Sequence, residues 1–214
     1  MKNKKLLIIL PAYNEEKTIY QIVKKLKKFG FVLVIDDYSD DKTKKKAIEA
    51  GAKVISNKKN FGYENSINIG IKFFLNKKYQ YLITMDADGQ HPIKYVPIFQ
   101  TFLNKNYDVI CGVRSLILRK SEKIFIFLSK IFLDLRDPLC GLKGYSRPFL
   151  IKYYSKKKSN YISTEYLVIA KKKKLNILQY EIETKPRKDI SRFGNSLMTD
   201  VKILITLVNI LFFL

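Results

Sequence analysis

A chain of 214 residues with 41 Lys and Arg against 19 Asp and Glu, net charge +22, is long enough for one domain with a sizeable core. Its 47% hydrophobic and 13% aromatic content excludes a disordered chain. Such a charge attracts polyanions, but most of it is Lys in runs such as 24–28, 44–46, 156–158 and 171–174, the pattern of solvated helix faces. No nucleic-acid module is present, so nucleic acid is not an expected partner.

Taken in chain order, apolar β-type runs alternate with amphipathic stretches. Residues 1–5 precede only five apolar residues, 6–10, too few for a signal peptide core or a membrane span, and Pro11 ends the run. Residues 6–10 read as a first strand and 15–28 as a helix with Ile19, Ile22, Val23 and Leu26 on one face. A second strand is expected at 31–35, a short helix at 41–50 closed by Gly51, a third strand at 52–56 and a helix at 64–76. The fourth strand is placed at 81–85, a helix from Pro92 to about residue 104, and a fifth strand at 108–111. This order, with continuously apolar strands, predicts an α/β fold: a parallel sheet covered by helices on both faces.

The alternation fails after residue 112. Residues 121–135 form an apolar amphipathic stretch that suits either a core helix or one lying on a membrane, with Lys123 and Lys130 toward headgroups. Residues 137–145 read as a turn-rich connection, 163–174 as a helix with Glu165 in its first turn, and 176–182 as a strand. The tail ends in the apolar stretch 203–214, shorter than the ~20 residues a bilayer span needs. It suits an interfacial helix, a docking helix or the start of a longer span. Cys111 and Cys140 have no metal-site spacing and make no disulfide framework, which fits a reduced compartment.

In a parallel sheet, ligands bind beyond the carboxyl ends of the strands. Three segments should meet there: Pro11-Ala12-Tyr13-Asn14-Glu15 after strand one, Asp36-Asp37-Tyr38-Ser39 after strand two, and Asp86-Ala87-Asp88-Gly89-Gln90 after strand four. Two carboxylates spaced by two suit a hard cation that binds through oxygen and substrate phosphates. Asp36 and Asp37 also suit turn capping. His91, the single histidine, precedes Pro92 at a helix start and reads as structural. No Gly-rich dinucleotide or P-loop pattern follows strand one.

Those segments, with Asn60-Phe61-Gly62, Gly112-Val113-Arg114, residues 137–147, Glu165 and Arg192-Phe193-Gly194-Asn195-Ser196, occur in an order that resembles the inverting GT-A glycosyltransferases typified by dolichyl-phosphate mannosyltransferase. The resemblance implies a GT-A (Rossmann-like) domain over 1–196, with a nucleotide-sugar half at about 1–112 and an acceptor half at about 113–196, followed by an apolar helix at 197–214. It implies that Pro11, Ala12, Tyr13 and Glu15 line the nucleobase and ribose pocket, that Asp37 accepts from the base and that Asp36 shapes its loop. Asp86, Ala87 and Asp88 would hold the nucleotide-sugar, and Asp86, Asp88 and Gln90 a Mg²⁺ or Mn²⁺ ion. Asp88, Glu165, Arg114 and Arg192 would carry the chemistry, the two arginines on phosphates and Glu165 toward the acceptor. Glu165 alternatively serves as a first-turn dipole partner.

Two departures stand out: Leu197 where the family often has Lys, and Tyr38 where a loop Gly is usual. The implied reaction is sugar transfer from a GDP- or UDP-sugar to a polyprenyl phosphate by a peripheral enzyme on the cytoplasmic side of a membrane. The alternatives are a soluble glycan or protein acceptor, and a non-catalytic nucleotide or anionic-polymer binder.

Overall fold

The computed structural model describes residues 5–117, 119–154, 161–185 and 205. Seven strands and seven helices occur in the order β1 (Leu6–Ala12), α1 (Ile19–Leu26), β2 (Phe31–Asp36), α2 (Thr43–Glu49), β3 (Lys53–Ser56), α3 (Tyr63–Leu75), β4 (Tyr81–Thr84), α4 (Tyr95–Asn104), β5 (Val109–Arg114), α5 (Lys120–Leu133), β6 (Lys143–Ser146), α6 (Arg147–Tyr153), α7 (Ile162–Lys172) and β7 (Ile177–Ile182). They build one mixed sheet in the order β3-β2-β1-β4-β6-β5-β7, parallel except for β6. This is the GT-A architecture.

β1 lies near the middle of the sheet and is buried along its whole length, which is why its sequence is apolar without alternation. In α1, Ile19, Ile22, Val23 and Leu26 are buried, the helical stripe expected of them. Two successive residues of β6 show the layers on either face. Gly144 leaves room for Leu103 and Phe99 of α4. Tyr145 points the other way, stacking on Phe149 of α6 and meeting Tyr166 of α7 edge-on.

Where the sequence shows the alternation breaking off, the sheet continues. The segment expected as a pure connection contains β6, which inserts antiparallel between β4 and β5. Its sequence, Lys-Gly-Tyr-Ser, lacks the β-branched signature of a strand. Hydrogen-bonded neighbours on both sides hold it in place instead. The expected helix at 41–50 starts later, at Thr43, because the Thr43 N–H is taken by Asp41 Oδ1 at 2.8 Å. The expected C-terminal helix at 197–214 lies outside the described residues, apart from the helical Ile205. No helix among the described residues is long and apolar enough to cross a membrane.

Candidate active site

The loops after β1 and β2 are stitched together by their own polar side chains. Ser39 Oγ accepts from Asn14 N at 3.0 Å, Asn14 Oδ1 from Asp40 N at 3.1 Å, and Thr43 Oγ1 from the N–H of buried Glu15 at 2.7 Å. Pro11 and Ala12 are buried at the end of β1, and Tyr13 is half-buried. Asp36 Oδ1 accepts from Ser39 N at 3.2 Å.

Asp37 is buried and takes three donors: Asn57 Nδ2 at 2.6 Å and Phe61 N at 2.9 Å on Oδ1, and Gly62 N at 2.7 Å on Oδ2. A carboxylate has roughly four acceptor positions, so one remains on Oδ2 for a donor from outside. Tyr38 has φ +70°. A side chain in that left-handed region costs roughly 1–2 kcal/mol relative to ordinary backbone, so the turn needs a glycine-like conformation although it has no glycine.

The carboxylate pair leaves the carboxyl end of β4, as expected. Thr18 Oγ1 donates to Ala87 O at 2.6 Å and holds this loop against the one after β1. Asp88, half-buried, accepts from Gln90 N at 3.0 Å. Gln90 in turn binds the chain leaving β7. Its carbonyl accepts from Lys185 N at 3.0 Å, and its Nε2 donates to Lys185 O at 3.4 Å.

Asp86 is held from more than one side. His91, itself buried, places Nε2 3.0 Å from Asp86 Oδ2, so the histidine read as structural is bound to a site carboxylate. The Gly141 backbone presses on the same group: a Cβ there would lie 2.2 Å from Asp86 Oδ1. Thr84 Oγ1 locks Gly141 in place through its carbonyl at 3.0 Å. Burial pushes the Asp86 carboxyl up, but His91, with the Tyr63 hydroxyl and Arg114, outweighs it and leaves the acid below its usual range. Tyr63 is driven well above the ordinary phenol range by burial and by the Asp86 charge, so it remains a donor.

Across β6 the site changes character. Asp137, fully buried, accepts from Arg114 N at 3.0 Å, Nε at 2.8 Å and Nη2 at 3.0 Å. Arg114 Nη2 also reaches Glu122 of α5 at 3.0 Å. One cation thus faces two anions. Burial alone would lower the Arg114 pKa, but Asp137 more than compensates and raises it. Arg114 Nη1 takes part in none of these bonds.

Glu165 is half-buried in the first turn of α7. That helix start is fixed to α3 by Glu64, which accepts from Ser163 N at 3.0 Å and Ser163 Oγ at 2.8 Å. Burial raises the Glu64 carboxyl, although Ser163 and Lys143 oppose the shift. Lys143 is itself buried at the start of β6. Burial pushes the Cys111 thiol up to about 12, so it is no nucleophile at neutral pH. Arg192 lies outside the described residues.

The residues present fit a hard divalent cation. Their donors are oxygen, Asp86 Oδ1 is buried without a hydrogen-bond partner, and Asp88 stands half-open beside it. Among the described residues no three His, Cys, Asp or Glu side chains converge as a ready-made cage. That suits a cation held by one or two carboxylates together with substrate phosphates and water. The sequence reading took His91 as structural and gave Asp137, Glu64, Lys143 and Gly141 no individual role at the site. A buried Lys in a short strand and a Gly before it give no signal until the strand is placed.

Residues 7–161 match Glycosyl transferase family 2. The chain belongs to this family and is a glycosyltransferase. It is 30% identical to the UDP-N-acetylglucosamine–dolichyl-phosphate N-acetylglucosaminyltransferase of Methanococcus voltae, over 86% of this chain and 87% of that one. It is 31% identical to an uncharacterized protein of Methanocaldococcus jannaschii, over 95% and 90%. An undecaprenyl-phosphate 4-deoxy-4-formamido-L-arabinose transferase of Salmonella choleraesuis is 26% identical over 69% of this chain, which spans half of that protein. Among solved structures, glucosyl-3-phosphoglycerate synthase from Mycobacterium tuberculosis, in complex with Mn²⁺, UDP-glucose and phosphoglyceric acid, superposes with a TM-score of 0.77. It shares 18% identity over 97% of this chain and 80% of that one, a likeness of fold.

Proposed function

We propose that this glycosyltransferase moves a sugar from a nucleoside-diphosphate sugar to a polyprenyl phosphate, inverting the anomeric centre, as a peripheral protein on the cytoplasmic face of a membrane. The observation that carries this reading is the placement of α5. Its first turn is anchored at the carboxyl edge of the sheet through Glu122 and Arg114, next to the oxygen-only site. Yet α5 is folded with its apolar side outward. Ser121, Phe125 and Ser129 are buried, while Ile124, Phe127, Ile131 and Phe132 are 49–64% exposed. A helix that buries serines and bares phenylalanines beside a polar site suits an acceptor whose phosphate is reached from a lipid surface, with Lys123 and Lys130 among the headgroups. The names of the methanococcal and Salmonella relatives, both acting with polyprenyl phosphates, agree with it.

In this reading Asp37 and the loops around it hold the nucleoside. Asp88, Asp86 and Gln90 Oε1 hold Mg²⁺ or Mn²⁺, whose role when bound is to neutralise charge on the leaving diphosphate. The acceptor is a phosphate monoester with a second pKa of ~6, by analogy with phosphorylated side chains. It is largely a dianion at neutral pH and needs no strong general base. One of its oxygens forms the new bond to the anomeric carbon as the bond to the diphosphate breaks on the opposite face.

Asp137 orients Arg114, whose Nη1 is the end of the guanidinium left for a phosphate. Arg192 is assigned the same task. Glu165 lines the acceptor side. His91, Tyr63 and Gly141 fix Asp86.

The test is a screen of labelled GDP- and UDP-sugars with Mn²⁺ or Mg²⁺ and a polyprenyl phosphate in vesicles, followed by organic extraction. Label in the lipid phase, lost on chelation, with the anomeric configuration opposite to the donor's, is the expected result. Label that reaches only aqueous acceptors overturns the lipid acceptor, and no transfer from any donor overturns the reading as a whole.

A further inference from the structure

Two exposed aromatic residues adjoin Asp37, and packing within the protein explains neither. Tyr38 follows Asp37 directly and is 58% exposed. Phe61 donates its N–H to Asp37 Oδ1 and is 47% exposed. Among the described residues neither ring stacks on another. Lys59 Nζ lies 5.3 Å from the Phe61 centroid. Tyr38 is also held at φ +70°, where a bulky side chain is an outlier and glycine sits without strain. The chain therefore accepts backbone strain to present a ring that buries little within the protein. Strain of this kind persists where a ligand uses it.

The Asp37 carboxylate has one acceptor position left and stands at the carboxyl edge of β2, where a parallel sheet takes its nucleotide. A flat ring with an N–H at its edge completes this arrangement: the N–H donates to Asp37 Oδ2 while the faces pack on aromatic carbon.

We infer that Tyr38, together with Phe61, packs against the nucleobase of the donor and sets much of the affinity for it. This rests on the nucleoside-diphosphate reading of the site. It gives a function to the one position in that loop where the chain departs from the family's glycine.

The experiment measures binding of UDP, GDP and inorganic pyrophosphate, each with Mn²⁺, to the full chain and to Tyr38→Gly, Tyr38→Phe and Phe61→Ala, with a melting curve for each. Removing one base–aromatic stack weakens nucleotide binding about tenfold. Tyr38→Gly should show that loss and melt at or above wild type, because the strained position is relieved. Tyr38→Phe should bind within about twofold of wild type, since the stack is kept. Phe61→Ala should weaken the nucleotide as well, and pyrophosphate, which has no base, should bind all the proteins alike.

Nucleotide affinity unchanged in Tyr38→Gly overturns the inference. An equal loss for pyrophosphate overturns it too, because the effect then lies in the loop and not in stacking. If wild type binds neither UDP nor GDP, the donor reading itself has failed, and the inference falls with it.

Discussion

The two halves of the sheet edge are built on opposite plans. On the β1–β2–β4 side, three loops are tied to one another by short side chains and backbone, and what they present outward is carboxylate: Asp37 with one acceptor position left, and the Asp86–Asp88 pair. On the β6–β5–β7 side two carboxylates are taken up by bonds within the protein. Asp137 is consumed by Arg114 and Glu64 by Ser163, and what faces out is the apolar stripe of α5. One side is a rigid oxygen-rich cradle that suits a cation and a diphosphate. The other is a braced platform whose exposed surface is greasy. The proposed donor, soluble in water, and the proposed acceptor, anchored in lipid, call for this asymmetry, and each half can be damaged separately.

The largest effect is expected from the cradle. Asp88→Ala removes one of the two carboxylates while leaving the bond between Asp86 and the buried His91 intact. Losing several kcal/mol of charge stabilisation on the leaving group corresponds to a rate loss on the order of 10²–10³-fold. Transfer should fall by that much and Mn²⁺-dependent UDP or GDP binding should weaken, with the melting temperature unchanged. Wild-type turnover in the variant would mean that the cradle does not hold the cation.

Gly141→Ala attacks the same half through its support. The added Cβ would sit 2.2 Å from Asp86 Oδ1, so either the carboxylate or the 140–142 backbone must move. Overpacking of this kind costs about 1–3 kcal/mol. The protein should melt several degrees lower and need more Mn²⁺ for half-maximal activity. Full activity with an unshifted metal requirement would show that Asp86 is not held by this contact.

The platform is tested by Phe127→Ser with Phe132→Ser. Both rings are more than 60% exposed, so the fold loses little. Partial burial of one such ring in lipid contributes on the order of 1 kcal/mol, so losing both should lower vesicle binding by about thirtyfold. Transfer to a short-chain, water-soluble polyprenyl phosphate should persist. Undiminished flotation with liposomes would assign the exposed stripe to something other than lipid.

The same contrast explains how much was legible in advance. The cradle lies on β1, β2 and β4, whose apolar runs stop sharply at acidic residues, so strand ends and motifs can be read together. The platform depends on β6, four residues with no strand signature, and its key groups come from far apart: Arg114 meets Asp137, Glu64 meets Ser163, and Gly141 meets Asp86. Such pairings follow from sheet order, which local patterns do not encode. The partner of His91 was hidden for a related reason. Standing before a proline at a helix start is a local property, whereas its bond to Asp86 depends on how the loop folds back. The family resemblance supplied the phosphate-binding assignment of Arg114, while the structure shows its Nε and Nη2 committed to carboxylates.

The smallest effect probes the brace between α3 and α7, where the platform meets the cradle. Burial raises the Glu64 carboxyl above its ordinary value of 4.5 despite the two Ser163 donors and Lys143. The unfolded chain gives up this proton near the ordinary value, and the folded chain holds it to higher pH. Across that window the folded state binds more protons, so this contribution to stability is complete below about 4.5 and is lost as pH rises through the folded value. Glu64→Gln removes the titration and keeps a partner for each Ser163 group, with its amide oxygen accepting from N–H and its NH₂ donating to Oγ. Relative to wild type, the variant should gain stability as pH rises from about 5 to 8, staying within about 4 °C of it throughout. Melting curves across that range decide the sign. A variant that loses stability with rising pH would mean that Glu64 is better served by its charge than burial allows, and that Lys143 is a true ion-pair partner and not a distant neighbour.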